Sequence, residues 1–214
     1  MKKSLLLLCL TICFSTLSFS QIENNKTENI KYFDENYNQI SKTDFEDRRR
    51  ENRFWSIQGD SLNHQILVFR EIHGTIANKG DLNLILASAT NKNIDSSKPL
   101  VIFYYPGKDL CNSTGTADRE HFKRWYRKME RGVNRIQEST FVYLYKDDEG
   151  LYDKYDGFKN WIKDPDNLLE RLFFKHHYPC SSFVVISESG KFISRFGESS
   201  KDHIWKAVKK LTKN

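Results

Sequence analysis

Hydrophobic positions fall into a regular pattern after Pro99. Leu100 to Tyr105 is a run of six apolar or aromatic residues, which predicts a strand buried on both faces, and Pro106-Gly107 stops it. Phe122, Trp125, Met129, Val133 and Ile136 then recur at intervals of three and four, the spacing of an amphipathic helix. Thr140 to Tyr145, aromatic and β-branched, predicts a second strand, and Asp147 to Asn160, rich in charge and glycine, a surface loop. Asp164-Pro165 has the form of a helix start, with Leu168, Leu169, Leu172 and Phe173 on the buried side. Strands from Ser182 to Ser187 and from Phe192 to Phe196 flank the turn Glu188 to Lys191. A closing helix from Lys201 to Leu211 buries Ile204, Trp205, Val208 and Leu211. The order β-α-β-α-β-β-α predicts an α/β fold: a parallel pair joined by a helix, then an antiparallel hairpin, in a mixed sheet flanked by helices.

Before Pro99 the pattern is mixed. Lys31 to Ser41 predicts a short hairpin. Thr43 with Glu46 has capping-box spacing for a helix from Thr43 to Asn52. Arg53 to Gln58 and Gln65 to Glu71 read as strands, Asp81 to Ala89 as a helix, and Thr90 to Lys98 as a polar link. None of this carries a chemical motif. Met1 to Ser20 has the form of a secretory signal peptide, with Lys2 and Lys3, an apolar run from Leu5 to Phe14, and Ser18-Phe19-Ser20 before a mature start at Gln21. An N-terminal anchor is the alternative, but the apolar run is short for a span. The expected organisation is a signal peptide (1–20), a flexible tether (21–30), an α+β extension (31–98) and an α/β domain (99–214). The chain is expected in the periplasm or secreted, with no stable membrane span after cleavage.

The chain has 34 Lys and Arg against 28 Asp and Glu, a formal charge of +6, and loss of Lys2 and Lys3 lowers it to +4. The basic concentrations at Arg48-Arg49-Arg50 and from Arg119 to Arg135 read as solvated faces. With no nucleic-acid-binding motif, no nucleic-acid partner is expected; other exported proteins are. His176-His177 lacks further ligands at metal spacing and reads as a helix C-terminus, and Gly107 alone is a turn glycine, so neither a metal nor a cofactor is expected.

Cys9 and Cys13 leave with the signal peptide, so Cys111 and Cys180 remain, in a compartment where thiols that can meet usually pair. A cysteine reacts as thiolate, which a helix N-terminus and a neighbour such as Lys108 stabilise. A helix starting at Ser113 would bring that field to Cys111; one starting at Thr116 would not.

Residues 99–213 resemble a thioredoxin-like domain in element order, in a cysteine at the junction of first strand and first helix, and in a proline before the third strand. The resemblance implies a cis bond at Tyr178-Pro179 and places Cys111 at the position of the nucleophilic cysteine. It departs at the second active-site cysteine, where Thr114 stands in Cys111-Asn112-Ser113-Thr114. It also brings Cys180 toward the cysteine loop, so that Cys111 and Cys180 could bond. Candidate catalytic residues are therefore Cys111, Cys180, Thr114 and Pro179. Phe103-Tyr104-Tyr105-Pro106 is similar to the active-site approach of peroxiredoxins, but Lys108 stands where those proteins have threonine. Two readings stay open: a thiol-disulfide exchange protein using Cys111 with Cys180, and a non-catalytic binding or structural module in which the pair is a permanent disulfide.

Overall fold

The computed structural model describes residues 29–155 and 157–213. The expected signal peptide and residues 21–28 of the expected tether lie outside the described residues. Among the described residues two sheets form, one of four strands and one of six.

The smaller sheet contains β1 (Lys31–Phe33), β2 (Gln39–Ile40), β3 (Phe54–Gln58) and β4 (His64–Phe69), in the order β2-β1-β4-β3. Helix α1 (Lys42–Arg50) covers one face, where Phe45 packs with Phe54 and Leu67. Its N-cap is Ser41, whose hydroxyl accepts from the Asp44 amide, two residues before the Thr43 that capping-box spacing pointed to. The other face lays Trp55, Ile57 and Val68 on the hydrophobic cluster of the larger sheet. The Trp55 indole N–H donates to the Phe196 carbonyl at 2.8 Å, fixing the two sheets together. Gly197 makes room for that ring: a Cβ there would lie 2.6 Å from it, and its φ of +71° favours glycine.

The larger sheet contains β5 (Glu71–Thr75), β6 (Leu100–Tyr105), β7 (Thr140–Tyr145), β8 (Trp161–Lys163), β9 (Ser182–Ile186) and β10 (Lys191–Arg195), in the order β5-β10-β9-β6-β7-β8. β6 runs parallel to β7 and antiparallel to β9, and β9 pairs antiparallel with β10. The inner order β10-β9-β6-β7 is the expected parallel pair joined to an antiparallel hairpin. The fold is thioredoxin-like. β5 adds an antiparallel edge to β10, so the sheet takes in a strand from before Pro99.

Every residue of β6 is buried, as its unbroken apolar run requires. Alternation sends Val101, Phe103 and Tyr105 to one cluster and Leu100, Ile102 and Tyr104 to the other. The first cluster is closed by helices α4 (Arg119–Ile136) and α7 (Lys201–Thr212), numbered after α2 (Lys79–Thr90) and α3 (Leu110–Ser113). The second is closed by α2, through Leu82 and Leu86, and by α6 (Leu168–Leu172), through Leu169. α4 begins at its N-cap Asp118, which accepts from the His121 amide at 2.7 Å, and buries Tyr126, Met129 and Val133.

The segment expected to be a loop, Asp147 to Asn160, contains helix α5 (Leu151–Tyr155) and leads into β8. Leu151, Tyr155 and Trp161 are buried there against Tyr105, Tyr126 and Tyr143, so scattered aromatic burial outweighs the charged composition. Pro165 opens a 3-10 turn before α6, as its position suggested, while Leu172 is exposed rather than buried.

Candidate functional site

β6 delivers the chain to a corner at its C-terminal end, the side on which open α/β sheets commonly carry their sites. Gly107, at φ +113°, turns the backbone and leads to Asp109, the N-cap of α3. Asp109 Oδ1 accepts from the Asn112 amide at 2.8 Å and Asn112 Oδ1 accepts from the Asp109 amide at 2.9 Å, a reciprocal capping box. Cys111 lies inside that box, exposed. It is disulfide-bonded to the half-buried Cys180, with Cα atoms 5.2 Å apart.

The bond is accompanied by a polar bridge between the same two loops. Asp109 Oδ2 accepts from the Cys180 amide at 2.9 Å. Asn112 Nδ2 donates to the Gly107 carbonyl at 2.7 Å and reaches the Cys180 carbonyl at 3.5 Å. Lys154 donates to the Asn112 carbonyl, tying α5 to the corner. His177 Nε2 lies 3.6 Å from Asp109 Oδ2. Beneath the corner, the Tyr105 hydroxyl donates to the Glu149 carbonyl, and burial, helped by Asp109 and other carboxylates, pushes its pKa up to about 12. Tyr178 is buried against Phe196 in a stacked pair at 4.3 Å, and burial holds its phenol far above the ordinary range.

Of the candidate residues, Cys111 and Cys180 are brought together. Thr114 is exposed at the C-cap of α3, and its hydroxyl donates back to the Leu110 carbonyl. Pro179 adjoins Cys180, but the implied cis bond is corrected: the Tyr178–Pro179 peptide is trans. The chain turns instead at Cys180, whose φ of 68° is left-handed, with its amide held by Asp109 and its sulfur by Cys111. The helix-field expectation also changes. The long helix begins at Arg119, beyond the single turn over which a terminal dipole acts, and α3 has only four residues. Lys108 is paired with Glu149 at 3.1 Å. His176 and His177 lie past the end of α6 rather than in its last turn. Burial, then the Lys175 charge, lowers the His176 pKa. Among the described residues no three His, Cys, Asp or Glu side chains gather as a metal site.

Asp109, Asn112 and Lys154 were missed from sequence, and His177 was read only as part of a helix C-terminus. Asp109 and Asn112 carried a usable signal, an N-cap residue and its N3 partner beginning two residues after a turn glycine. Lys154 and His177 carried none, because only the fold brings them to the corner.

No protein-family model and no curated protein sequence matches the chain. Two solved structures overlap about half of it. One is an exposed lipoprotein thioredoxin of Streptococcus pneumoniae, at 15% identity and a TM-score of 0.36, covering 54% of this chain and 87% of that one. The other is a secreted disulfide oxidoreductase of Mycobacterium tuberculosis, at 15% identity and a TM-score of 0.34, covering 54% and 83%. The strand order β10-β9-β6-β7 and its pairing define the fold on their own.

Proposed function

We propose that this chain is an exported thiol-disulfide exchange protein, periplasmic or secreted, that acts on other exported proteins through Cys111 and Cys180. The observation that carries this reading is the asymmetry of the pair: Cys111 is exposed, while Cys180 is half-buried and clamped through its amide by Asp109. A partner thiolate attacks the Cys111 sulfur, forming a mixed disulfide and expelling the Cys180 sulfur as thiolate, which takes up a proton. A second partner thiolate then attacks the partner sulfur of the mixed disulfide and releases Cys111. The partner dithiol becomes a disulfide as the Cys111–Cys180 disulfide becomes a dithiol, and the reverse sequence transfers electrons the other way. The Asp109–Asn112 bridge keeps the two loops adjacent while the sulfurs are apart, so the pair can close again.

A second reading, a permanent staple on a binding module, is favoured by one feature: the four-residue α3 gives Cys111 no sustained helix dipole to stabilise a thiolate. A bond closing 69 residues of separation would then act mainly on stability, by about 4 kcal/mol. Equilibration with thiol redox buffers followed by alkylation separates the two. A pair still oxidised below roughly −300 mV is structural and rules out exchange. A pair that reduces within the buffer range, with Cys111 alkylated ahead of Cys180, supports it.

A further inference from the structure

Charge is not spread evenly over the molecule. Helices α4 and α7 pack side by side over the same cluster, joined where the Trp205 indole donates to the Met129 carbonyl at 3.0 Å. Together their residues carry eleven Lys or Arg and three Asp or Glu, a net +8 that exceeds the +6 of the whole chain. The remainder is slightly acidic, so the basic balance of the protein resides on these two helices.

On α4 the cations form an outward stripe. Arg124, Arg127, Lys128, Arg131 and Arg135 are all exposed, and among the described residues none has an ion-pair partner. Arg124 with Lys128, Arg127 with Arg131, and Arg131 with Arg135 are like charges at i,i+4, each pair costing a helix a few tenths of a kcal/mol. A face kept only for solvation gains more from alternating signs. On α7, Lys206, Lys209 and Lys210 extend the same surface. Between the helix ends lies a groove of about 540 Å³ lined by Ile136, Asp202, Trp205, Lys206 and Lys209, with half-buried tryptophan and isoleucine below a lysine rim.

We infer that the outward face of α4 and α7 docks on an anionic lipid bilayer surface. The stripe from Arg124 to Arg135 spans about 16 Å along one helix and lies beside a second basic helix, which suits a plane of negative headgroups. Half-buried Trp205 and Ile136 give the lysine-rimmed groove an apolar floor, which adds apolar contact to the charge attraction. Base-stacking platforms are missing from the stripe itself, whose outward residues are cationic rather than aromatic, which disfavours single-stranded nucleic acid. The inference does not depend on the redox chemistry of Cys111 and Cys180.

Co-sedimentation of the full chain with phosphatidylcholine vesicles, with and without phosphatidylglycerol, tests it. Binding should require the anionic lipid, be lost at high salt, and weaken at least tenfold in the Arg127→Glu, Arg131→Glu double variant. The thermal midpoint of that variant should stay close to the parent value, because position 131 then attracts Arg135 and position 127 attracts Lys123, while positions 127 and 131 remain like-charged. A control reversing Lys42 and Lys92 to Glu, off this face, should retain binding. Equal binding to neutral vesicles would assign attachment to the apolar run at residues 5–14 and overturn the inference. Equal loss in the control, or tighter binding to heparin or single-stranded DNA than to anionic vesicles at the same salt, would overturn it too.

Discussion

Asp109 accepts a hydrogen bond from the Cys180 amide at 2.9 Å across 71 positions of sequence, so the two cysteine loops are joined by a carboxylate as well as by sulfur. The bridge raises the effective concentration of the two thiols and so favours the disulfide over the dithiol. A carboxylate beside the pair also opposes a thiolate by like-charge repulsion. Both effects make the disulfide harder to reduce, and both vanish in Asp109→Ala. Loss of about 1.5–3 kcal/mol of charge-assisted hydrogen bonding should raise the reduction potential by roughly 30–60 mV. Equilibration against dithiothreitol and its oxidised form measures this, and an unchanged or more negative potential in the variant refutes the bridge.

Gly132 lies directly against α7. An added Cβ would stand 2.3 Å from the Trp205 indole, whose N–H is tied to the Met129 carbonyl. Alanine normally stabilises a helix relative to glycine by about 1 kcal/mol. Here the ring has to leave its place, and overpacking of this kind costs about 1–3 kcal/mol. Gly132→Ala should therefore lower the midpoint of denaturant unfolding despite its better propensity. A stabilised variant would mean that the two helices separate readily.

What was legible in the sequence follows from the kind of signal each element carried. Six consecutive apolar residues made β6 readable as a strand buried on both faces. The three-and-four spacing from Phe122 to Ile136 made α4 equally plain. β5 was not legible, because Glu-Ile-His-Gly-Thr has one large apolar residue and owes its strand form to pairing with β10. α5 and β8 were hidden in a charged stretch whose few aromatic residues find partners only after folding. At the site, the bond of Cys111 to Cys180 followed from the fold resemblance, and the spacing of Asp109 and Asn112 held an unread capping box. The left-handed backbone at Cys180, next to a trans Tyr178–Pro179 peptide, is announced by nothing in the local residue types.

Seven of the ten tyrosines are held above the ordinary phenol range, with burial the largest cause for each: Tyr104, Tyr105, Tyr126, Tyr143, Tyr145, Tyr155 and Tyr178. Their folded pKa values exceed the unfolded value near 10. As pH rises through 10 the unfolded chain therefore loses protons that the folded chain keeps, and stability falls. In a spectrophotometric titration most phenolate absorbance should arrive together with loss of near-ultraviolet circular dichroism. Full ionisation of the phenols in a chain that keeps its tertiary signal would contradict the buried aromatic cluster.

At the acid end the relevant group is His203. Its pKa is lowered by burial first, then by the charges of Arg195, Arg70 and Lys206, with Glu71 opposing. Nδ1 accepts from the Ser200 amide at 3.2 Å, the N3 part of the α7 capping box, which a protonated ring cannot perform. A base whose folded pKa is depressed leaves the unfolded chain to take up its proton first. Stability is then fully present above about pH 6.5 and is lost as pH falls through the lower folded value. His176, lowered by burial and Lys175, acts in the same direction. Asp164, raised by burial, acts in the opposite one. His203→Asn isolates the His203 contribution, because Asn112 already performs the same N3 role in α3 without titrating. Urea midpoints measured from pH 7 to pH 5.5 should fall less steeply in the variant than in the parent chain. Parallel pH profiles for the two would mean that His203 takes up its proton equally in the folded and unfolded chains.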